Sequence, residues 1–214
     1  MEYYPIFVSL KNKKCLVVGA GKVALRKIQG LYAAHAQVTV VAESVLPEVR
    51  QICPKIHIVN RPFVDTDVSR DFTLVIAATN SLVVNKQVFE AANRLGIFCN
   101  TVDNKELSTF IHPAIVKRGK IIAALSTSGA SPILAQLIKQ RVADALGDEY
   151  EILSEFLFDM RIPVRDRFTD STERKQFWER FFVEDVAKIA KQEGRSGLEK
   201  RLNDLIASFR HSAS

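Results

Sequence analysis

The stretch Cys15-Leu-Val-Val-Gly-Ala-Gly-Lys-Val-Ala-Leu-Arg-Lys27 decides the fold. Its apolar start predicts a buried parallel strand, and its second half has the pattern of a helix. Between them lies a G-x-G-x-x-A turn. In such a turn Gly19 permits the tight bend, Gly21 lets the backbone approach a pyrophosphate, and the small Ala24 lets the helix pack closely on the strand. This position between strand and helix favours dinucleotide binding over a purely structural turn.

Strand and helix patterns alternate on both sides of this turn through the first half of the chain. The alternation of short apolar runs with amphipathic stretches predicts an α/β fold of the Rossmann type, with a parallel sheet covered on both faces by helices. The predicted strands are 14–18, 37–41, 56–59, 74–78, 97–102 and 121–126, and the predicted helices between them are 23–34, 44–52 and 81–95. Asn80 or Ser81 is the predicted N-cap of the last of these helices, and Gly96 is expected to end it.

The pattern changes after residue 126. Ser131 and Pro132 predict a helix start, and the helix is expected to stop at Gly147. Beyond it only amphipathic helices are predicted, over 150–160, 171–192 and 196–209, with joins at 161–170 and at two glycines. We therefore predict a dinucleotide-binding domain over 1–113, a connecting segment over 114–147 and a small all-helical module over 148–214.

The charge of the chain is unevenly distributed. The 214 residues carry a formal net charge of +6. Residues 1–147 hold 18 Lys and Arg against 10 Asp and Glu, whereas residues 148–214 hold 12 against 14. The positive excess accompanies the glycine turn and suits an anionic ligand, although solvated lysines alone would also produce it. No nucleic-acid recognition motif accompanies it, so we expect no nucleic-acid partner.

Neither membrane nor metal signals stand out. No apolar run approaches the ~20 residues of a membrane span, and the first residues lack the basic start and apolar core of a signal peptide. We expect a cytoplasmic location without membrane contact. The three cysteines, Cys15, Cys53 and Cys99, form no C-x-x-C pair and are expected to be buried thiols. The four histidines show no metal-ligand spacing, so no protein-bound metal is predicted.

Polar side chains at the carboxyl ends of the predicted strands are candidate ligand contacts. Glu43 follows the second strand, where a carboxylate binds ribose hydroxyls; an interaction with a helix dipole is its alternative role. No arginine follows it, which favours NAD over NADP. Thr79 and Asn80 follow the fourth strand and are expected to face the cofactor, or else to cap a helix. Asp103 follows the fifth strand and can act as a base when a substrate loses a proton and a hydride, or serve only as a turn residue.

A second candidate region is the hydroxyl-rich turn Ser126-Thr-Ser-Gly-Ala-Ser-Pro132. It lies between a strand and a helix start, and such turns collect hydroxyl and backbone donors that suit carboxylates or phosphates. The candidate contacts are Ser126, Thr127, Ser128 and Ser131. Helix capping alone would explain Ser131 equally well.

Several stretches, taken together, resemble the precorrin-2 dehydrogenase and sirohydrochlorin ferrochelatase family, the NAD-dependent module of sirohaem synthases and its stand-alone relatives. The motifs follow the family order over nearly the whole chain. They are Tyr4-Pro-Ile-Phe7, the glycine turn, Val75-Ile-Ala-Ala-Thr79, Phe98-Cys-Asn-Thr-Val-Asp103, Ser108-Thr-Phe-Ile111, the 126–132 turn and Glu173-Arg-Lys-Gln-Phe-Trp-Glu-Arg-Phe-Phe182. Ser128 departs from the pattern, since relatives often have Gly there.

The resemblance implies an activity and its ligands. It implies NAD-dependent oxidation of precorrin-2, an anionic tetrapyrrole, to sirohydrochlorin in sirohaem biosynthesis, with Asp103 as the catalytic residue. It further implies cofactor contacts at Lys22, Val23, Glu43 and Ser44. Some relatives also insert Fe²⁺ into sirohydrochlorin, and the sequence leaves that second activity open.

The resemblance also implies a homodimer, joined through 114–147 and the helical module. A different class of protein remains as the alternative, a nucleotide-sensing Rossmann protein with a helical partner-binding tail. Such a sensor would need neither an acid at Asp103 nor the 126–132 turn.

Overall fold

The computed structural model describes residues 3–52 and 56–211. The chain divides into two compact units, Met1–His112 and Pro113–Ser214. The strands are Lys14–Val18 (β1), Gln37–Val41 (β2), His57–Val59 (β3), Phe72–Ala77 (β4), Phe98–Thr101 (β5), Ala114–Arg118 (β6) and Ile121–Leu125 (β7). The helices are Lys22–Ala33 (α1), Pro47–Ile52 (α2), Leu82–Arg94 (α3), Pro132–Ala145 (α4), Asp148–Arg167 (α5), Ser171–Phe181 (α6) and Val186–His211 (α7).

The first unit is the predicted Rossmann-type α/β fold. Its five strands are parallel and lie in the order β3-β2-β1-β4-β5, so the strand order reverses between β1 and β4. Val18 of β1 lies beside Val41 of β2 and Ala77 of β4. Because these three strands end at the same level, the residues that follow them meet at one edge of the sheet.

The apolar run of β1 is explained by helices on both faces of the sheet. Val17 packs in one hydrophobic cluster with Ile28 of α1, and Leu16 packs in a second cluster with Val88 of α3. All four side chains are fully buried. A strand buried on both faces has no polar alternation, which is why this run is continuous in the sequence.

Two of the three cysteines lie in this core. Cys15 and Cys99 are buried free thiols, as predicted. Burial raises the pKa of Cys15 to about 11 and that of Cys99 to about 12, so both stay protonated and unreactive at neutral pH. Cys53 lies outside the described residues.

The second unit begins with a hairpin that the sequence analysis did not predict. We expected 121–126 to be a sixth strand of the parallel sheet, and this was wrong. β7 pairs antiparallel with β6 in a separate two-stranded sheet. The turn Gly119-Lys120 joins the two strands, with Gly119 at a φ of 53°. A link this short can connect only antiparallel neighbours.

The helices of the second unit differ from prediction in two places. The predicted join at 161–170 is wrong up to Arg167, because α5 continues through Pro163. The predicted helix 171–192 is broken, since α6 ends at Phe181 and α7 starts at Val186, with the N–H of Lys188 donating to the Asp185 carboxylate (3.1 Å). The break predicted at the glycines is present at Gly194, where φ is 65°.

Aromatic residues form much of the core of the helical part. Phe156, Phe177 and Phe181 are fully buried, and Phe168 and Phe209 pack against Phe177 at ring-centroid distances of 4.6 and 5.7 Å. Each buried ring removes a large apolar area from water, which a small helical module needs for a stable core.

Candidate active site

The turn after β1 has the geometry that dinucleotide binding requires. Gly19 has a φ of 107°, and its N–H donates to the carbonyl of Val41 on β2 (2.8 Å). A Cβ atom at Gly19 would lie 2.7 Å from the carbonyl carbon of Ala78, and closer still to its oxygen. The fold itself therefore requires this glycine. Ala24 is fully buried at the contact of α1 with the sheet, as predicted.

Gly21 has a different role, because its surroundings are open. Its φ is −83°, and a Cβ atom there would meet nothing within 4 Å. It is the N-cap of α1 without a side-chain cap, and the first helical hydrogen bond runs from the N–H of Leu25 to the Gly21 carbonyl (2.9 Å). The N–H groups of Lys22, Val23 and Ala24 thus precede the helical hydrogen-bond series. The first turn contains no acid, so these groups and the helix dipole favour an anion here.

Glu43 and Ser44 follow β2 and are both exposed. The side-chain amide of Asn60 donates to the carbonyls of Ala42 (3.1 Å) and Glu43 (2.8 Å), which fixes the backbone of this loop. Since α2 begins only at Pro47, Glu43 lies outside any first helical turn. The geometry therefore does not support the helix-dipole alternative, and the carboxylate remains available to ribose hydroxyls.

Thr79 and Asn80 follow β4 at the same edge. The Thr79 hydroxyl donates to Asn85 Oδ1 (2.7 Å), the Thr79 N–H donates to the same atom (3.1 Å), and Asn85 Nδ2 donates back to the Thr79 carbonyl (3.1 Å). Ser81 is the N-cap of α3 and accepts from the N–H of Val84 (3.3 Å). Thr79 is therefore occupied with the entry into α3, whereas the Asn80 side chain is exposed.

Asp103 lies two residues beyond β5, in the left-handed backbone conformation. Its φ is 58°, and its side chain is exposed. Lys27 on α1 lies within its electrostatic reach. Burial and neighbouring Arg26 lower the pKa of Lys27, and the Asp103 carboxylate opposes that lowering. The Asp103 carboxylate thus acts electrostatically on the half-buried Lys27 ammonium, an interaction that the sequence analysis missed.

One cavity of about 300 Å³ collects six of the ten residues predicted to bind the cofactor or to act in catalysis. It is lined by Gly21, Lys22, Val23, Ala78, Thr79, Asn80, Val102 and Asp103. The other four, Gly19, Ala24, Glu43 and Ser44, do not line it. The dinucleotide-binding turn and the candidate catalytic carboxylate therefore meet in the same cavity.

The hydroxyl-rich turn belongs to the second unit, where much of its hydrogen bonding is internal. Ser131 caps α4 by accepting from the N–H of Leu134 (3.2 Å), and its own N–H donates to the Thr127 hydroxyl (3.3 Å). The Ser126 hydroxyl accepts from the N–H of Ser128 (3.0 Å). Ser126 and Ser128 are exposed, and Ser128 has a φ of 53°. Glycine adopts this left-handed conformation without steric cost, whereas serine does so less readily.

His112 closes the first unit. Its ring lies edge-on to Phe110 with centroids 5.2 Å apart. Although part of the residue is exposed, desolvation and the nearby Lys27 ammonium lower the pKa of His112 to about 4. The imidazole is therefore neutral at physiological pH.

The described residues contain neither a metal-ligand cluster nor a membrane-spanning helix. Over residues 3–52 and 56–211, no group of three or more His, Cys, Asp or Glu side chains is arranged to hold a metal ion. Within the same ranges, no helix is both long and apolar enough to span a membrane.

Comparison with known proteins identifies the family. Residues 6–114, half of the chain, match the family model described as putative NAD(P)-binding. The chain belongs to this NAD(P)-binding family. Residues 149–206 match a second model, described as the sirohaem synthase dimerisation region. These matches confirm the resemblance found in the motifs, and the first confirms the predicted nicotinamide cofactor.

The chain is also similar to sirohaem synthases. The chain is 37% identical over 212 residues to the siroheme synthase of Vesicomyosocius okutanii and 40% identical over 195 residues to that of Nitrosomonas europaea. These alignments cover 96% and 88% of this chain but only 45% and 40% of the relatives, so the chain spans less than half their length.

The fold is also found in a solved structure. SirC, a precorrin-2 dehydrogenase, superposes with a TM-score of 0.79 at 24% identity, and the match covers 94% of this chain and all of SirC. This likeness confirms the predicted fold of the chain.

Three polar residues that support the site were missed at the sequence level. Asn85 holds Thr79, Asn60 holds the Glu43 loop, and Lys27 accompanies Asp103. Only Asn85 gave a signal, because it is a polar residue at an inward-facing position of α3 and is 6% exposed. The other two contacts join residues far apart in sequence.

Proposed function

We propose that this protein oxidises precorrin-2 to sirohydrochlorin with NAD as the hydride acceptor. The observation that carries the proposal is the shared cavity, in which the glycine turn and Asp103 line the same space at the carboxyl edge of the parallel sheet. The proposal is supported by the family matches and by the sirohaem synthase relatives. NAD, when bound, supplies a nicotinamide ring that accepts the hydride.

The chain's own residues would bind the cofactor and the substrate and accept the proton. The N–H groups at the start of α1 bind the pyrophosphate, and Glu43 binds the adenosine ribose. Asp103 lies beside that cofactor site and accepts the proton that the macrocycle loses with its hydride. The ammonium groups of Lys22 and Lys27 provide positive charge near the cavity, which suits a substrate that carries several carboxylates. The hydroxyl-rich 126–132 turn is the further proposed contact for those carboxylates.

A homodimer is the proposed assembly. None of the side chains of α4 is buried, although its sequence is rich in apolar residues. Ile133 is 82% exposed, and Ile115, Ile122 and Leu137 on the hairpin and α4 are each about half exposed. An apolar surface of this kind in the 114–147 segment needs a partner. The match of 149–206 to a dimerisation region supports a second copy of the chain as that partner.

A cytoplasmic location belongs to the same proposal. The two described thiols are free and buried, which agrees with a reducing compartment. Insertion of Fe²⁺ into sirohydrochlorin stays a prediction from the resemblance. It is tested by adding Fe²⁺ and sirohydrochlorin with and without the protein, and equal rates of sirohaem formation would contradict it.

The decisive test uses precorrin-2 generated enzymatically without oxygen. The protein and NAD are added, and the spectra of NADH and sirohydrochlorin are followed together. We expect the two products to form in equal amounts. NAD binding measured by calorimetry without any turnover would instead favour the nucleotide-sensing alternative.

A further inference from the structure

One hydroxyl group, that of Ser108, makes hydrogen bonds to both ends of the Asp103 loop. The Ser108 hydroxyl accepts from the N–H of Thr101 (2.9 Å) and donates to the carbonyl of Asn104 (2.7 Å). Thr101 is the last residue of β5, and Asn104 directly follows Asp103. One side chain therefore connects the two ends of the short segment that carries the carboxylate.

Two further hydrogen bonds make this segment a compact loop. The N–H of Asn104 donates to the Thr101 carbonyl (3.2 Å), and the N–H of Leu107 donates to Asn104 Oδ1 (3.1 Å). Within the loop Asp103 has a φ of 58°. Aspartate tolerates this left-handed conformation better than most non-glycine residues, but the extended and right-handed regions are still preferred in a free chain. The conformation at Asp103 is therefore maintained by the contacts of the loop around it.

The neighbouring Thr109 makes a contact of the same kind but at a different place. Its hydroxyl accepts from the N–H of Cys99 (2.8 Å), and its own N–H donates to the Cys99 carbonyl (2.7 Å). It therefore covers the free edge of β5 two residues before Thr101. The two hydroxyls both stabilise the strand edge, but only Ser108 contacts the loop that carries Asp103.

We infer that Ser108 is a positioning residue, which holds Asp103 in its left-handed conformation so that the carboxylate faces the cofactor cavity. This inference rests on the proposed function for its effect on turnover. A misplacement of about 1 Å at a reacting group can cost about a hundredfold in rate. Loss of the Ser108 hydroxyl should therefore lower kcat by roughly tenfold to a hundredfold, with little change in the Kd for NAD, because the pyrophosphate is held at the glycine turn.

The test compares Ser108→Ala with the matched control Thr109→Val, each of which removes one hydroxyl from the same strand edge. Ser108→Thr restores the hydroxyl. We expect both deletions to lower the melting temperature by similar amounts, whereas only Ser108→Ala lowers kcat and Ser108→Thr recovers most of it. In amide hydrogen exchange, Ser108→Ala should accelerate Thr101 and Asn104, and Thr109→Val should accelerate Cys99.

The outcomes separate the two claims. Equal kcat values for Ser108→Ala and Thr109→Val in an active protein would overturn the positioning role and leave the proposed function intact. An inactive wild-type protein would overturn the proposed function, and with it any role of Ser108 in turnover. Unchanged exchange at Thr101 and Asn104 in Ser108→Ala would show that this hydroxyl does not hold the loop, whatever the activity.

Discussion

Replacing the two glycines of the turn after β1 should separate a glycine that the fold needs from one that the ligand needs. At Gly19 an alanine would have to adopt a φ of 107°, which costs roughly 1–3 kcal/mol for such conformations. Its Cβ would also meet the backbone of Ala78, which cannot move without disturbing β4. We expect Gly19→Ala to lower the free energy of unfolding by about 3 kcal/mol, or the melting temperature by roughly 10 °C.

Gly21→Ala is the matched substitution, and its expected result is the opposite. The φ of −83° is accessible to alanine, and the added methyl group meets nothing within 4 Å. Stability should change by less than about 1 kcal/mol, because the lower entropy of the unfolded chain is offset by alanine being a poorer N-cap than glycine. The methyl group would occupy the space through which the backbone approaches the pyrophosphate. We expect NAD affinity to fall at least about tenfold, which is about 1.4 kcal/mol.

Thermal unfolding without cofactor and calorimetric titration with NAD measure the two effects separately. If Gly19→Ala melts at the wild-type temperature, the clash with Ala78 is not real. If Gly21→Ala binds NAD as tightly as the wild type does, the pyrophosphate does not lie at this turn.

Three further predictions concern cofactor, assembly and pH. NAD should bind at least about tenfold more tightly than NADP, and Glu43→Gln should reduce that preference; tighter NADP binding measured by calorimetry would refute the role of Glu43. Sedimentation at micromolar concentration should show a dimer, and Ile133→Lys should dissociate it. Val64→Lys, at an exposed position of the first unit, should leave the dimer intact. A monomeric wild-type protein would contradict the proposed assembly. The pKa of His112 is about 4 in the folded protein and about 6.5 in the unfolded chain. Between these pH values the unfolded chain therefore binds more protons than the folded protein does. The melting temperature should fall as the pH is lowered from about 6.5 to about 4. His112→Gln should weaken this fall, and an identical pH profile in that variant would show that His112 does not contribute.

Local sequence signals were sufficient for the first unit. The glycine turn, the β-branched runs and the Ser81 cap depend on neighbouring residues, and five strands formed where they were predicted. The hairpin was not predicted, because 114–118 was not assigned as a strand. The sequence Arg-Gly-Lys between two apolar runs is nevertheless a turn signal. With that strand missing, β7 was assigned to the wrong sheet.

Long-range packing explains the remaining errors. A proline inside a helix lowers the stability of the helix by about 3 kcal/mol, so the sequence favoured a join rather than a helix at Pro163. Burial of Val164 and Phe168 after it, and of Phe156 before it, holds the helix together across that position. In the candidate site, Lys27 and Asn60 were missed for the same reason, because their partners are distant in sequence.

Asp103 provides the most direct test of the proposed dehydrogenase. Asp103→Asn keeps the size of the side chain and its tolerance of a positive φ, but it removes the basic carboxylate. The turnover of precorrin-2 with NAD should fall by about 10²–10⁴-fold, the usual contribution of a general base, while the Kd for NAD and the melting temperature stay near the wild-type values. Oxidation of precorrin-2 by Asp103→Asn at the wild-type rate would contradict the account and leave Asp103 as a turn residue.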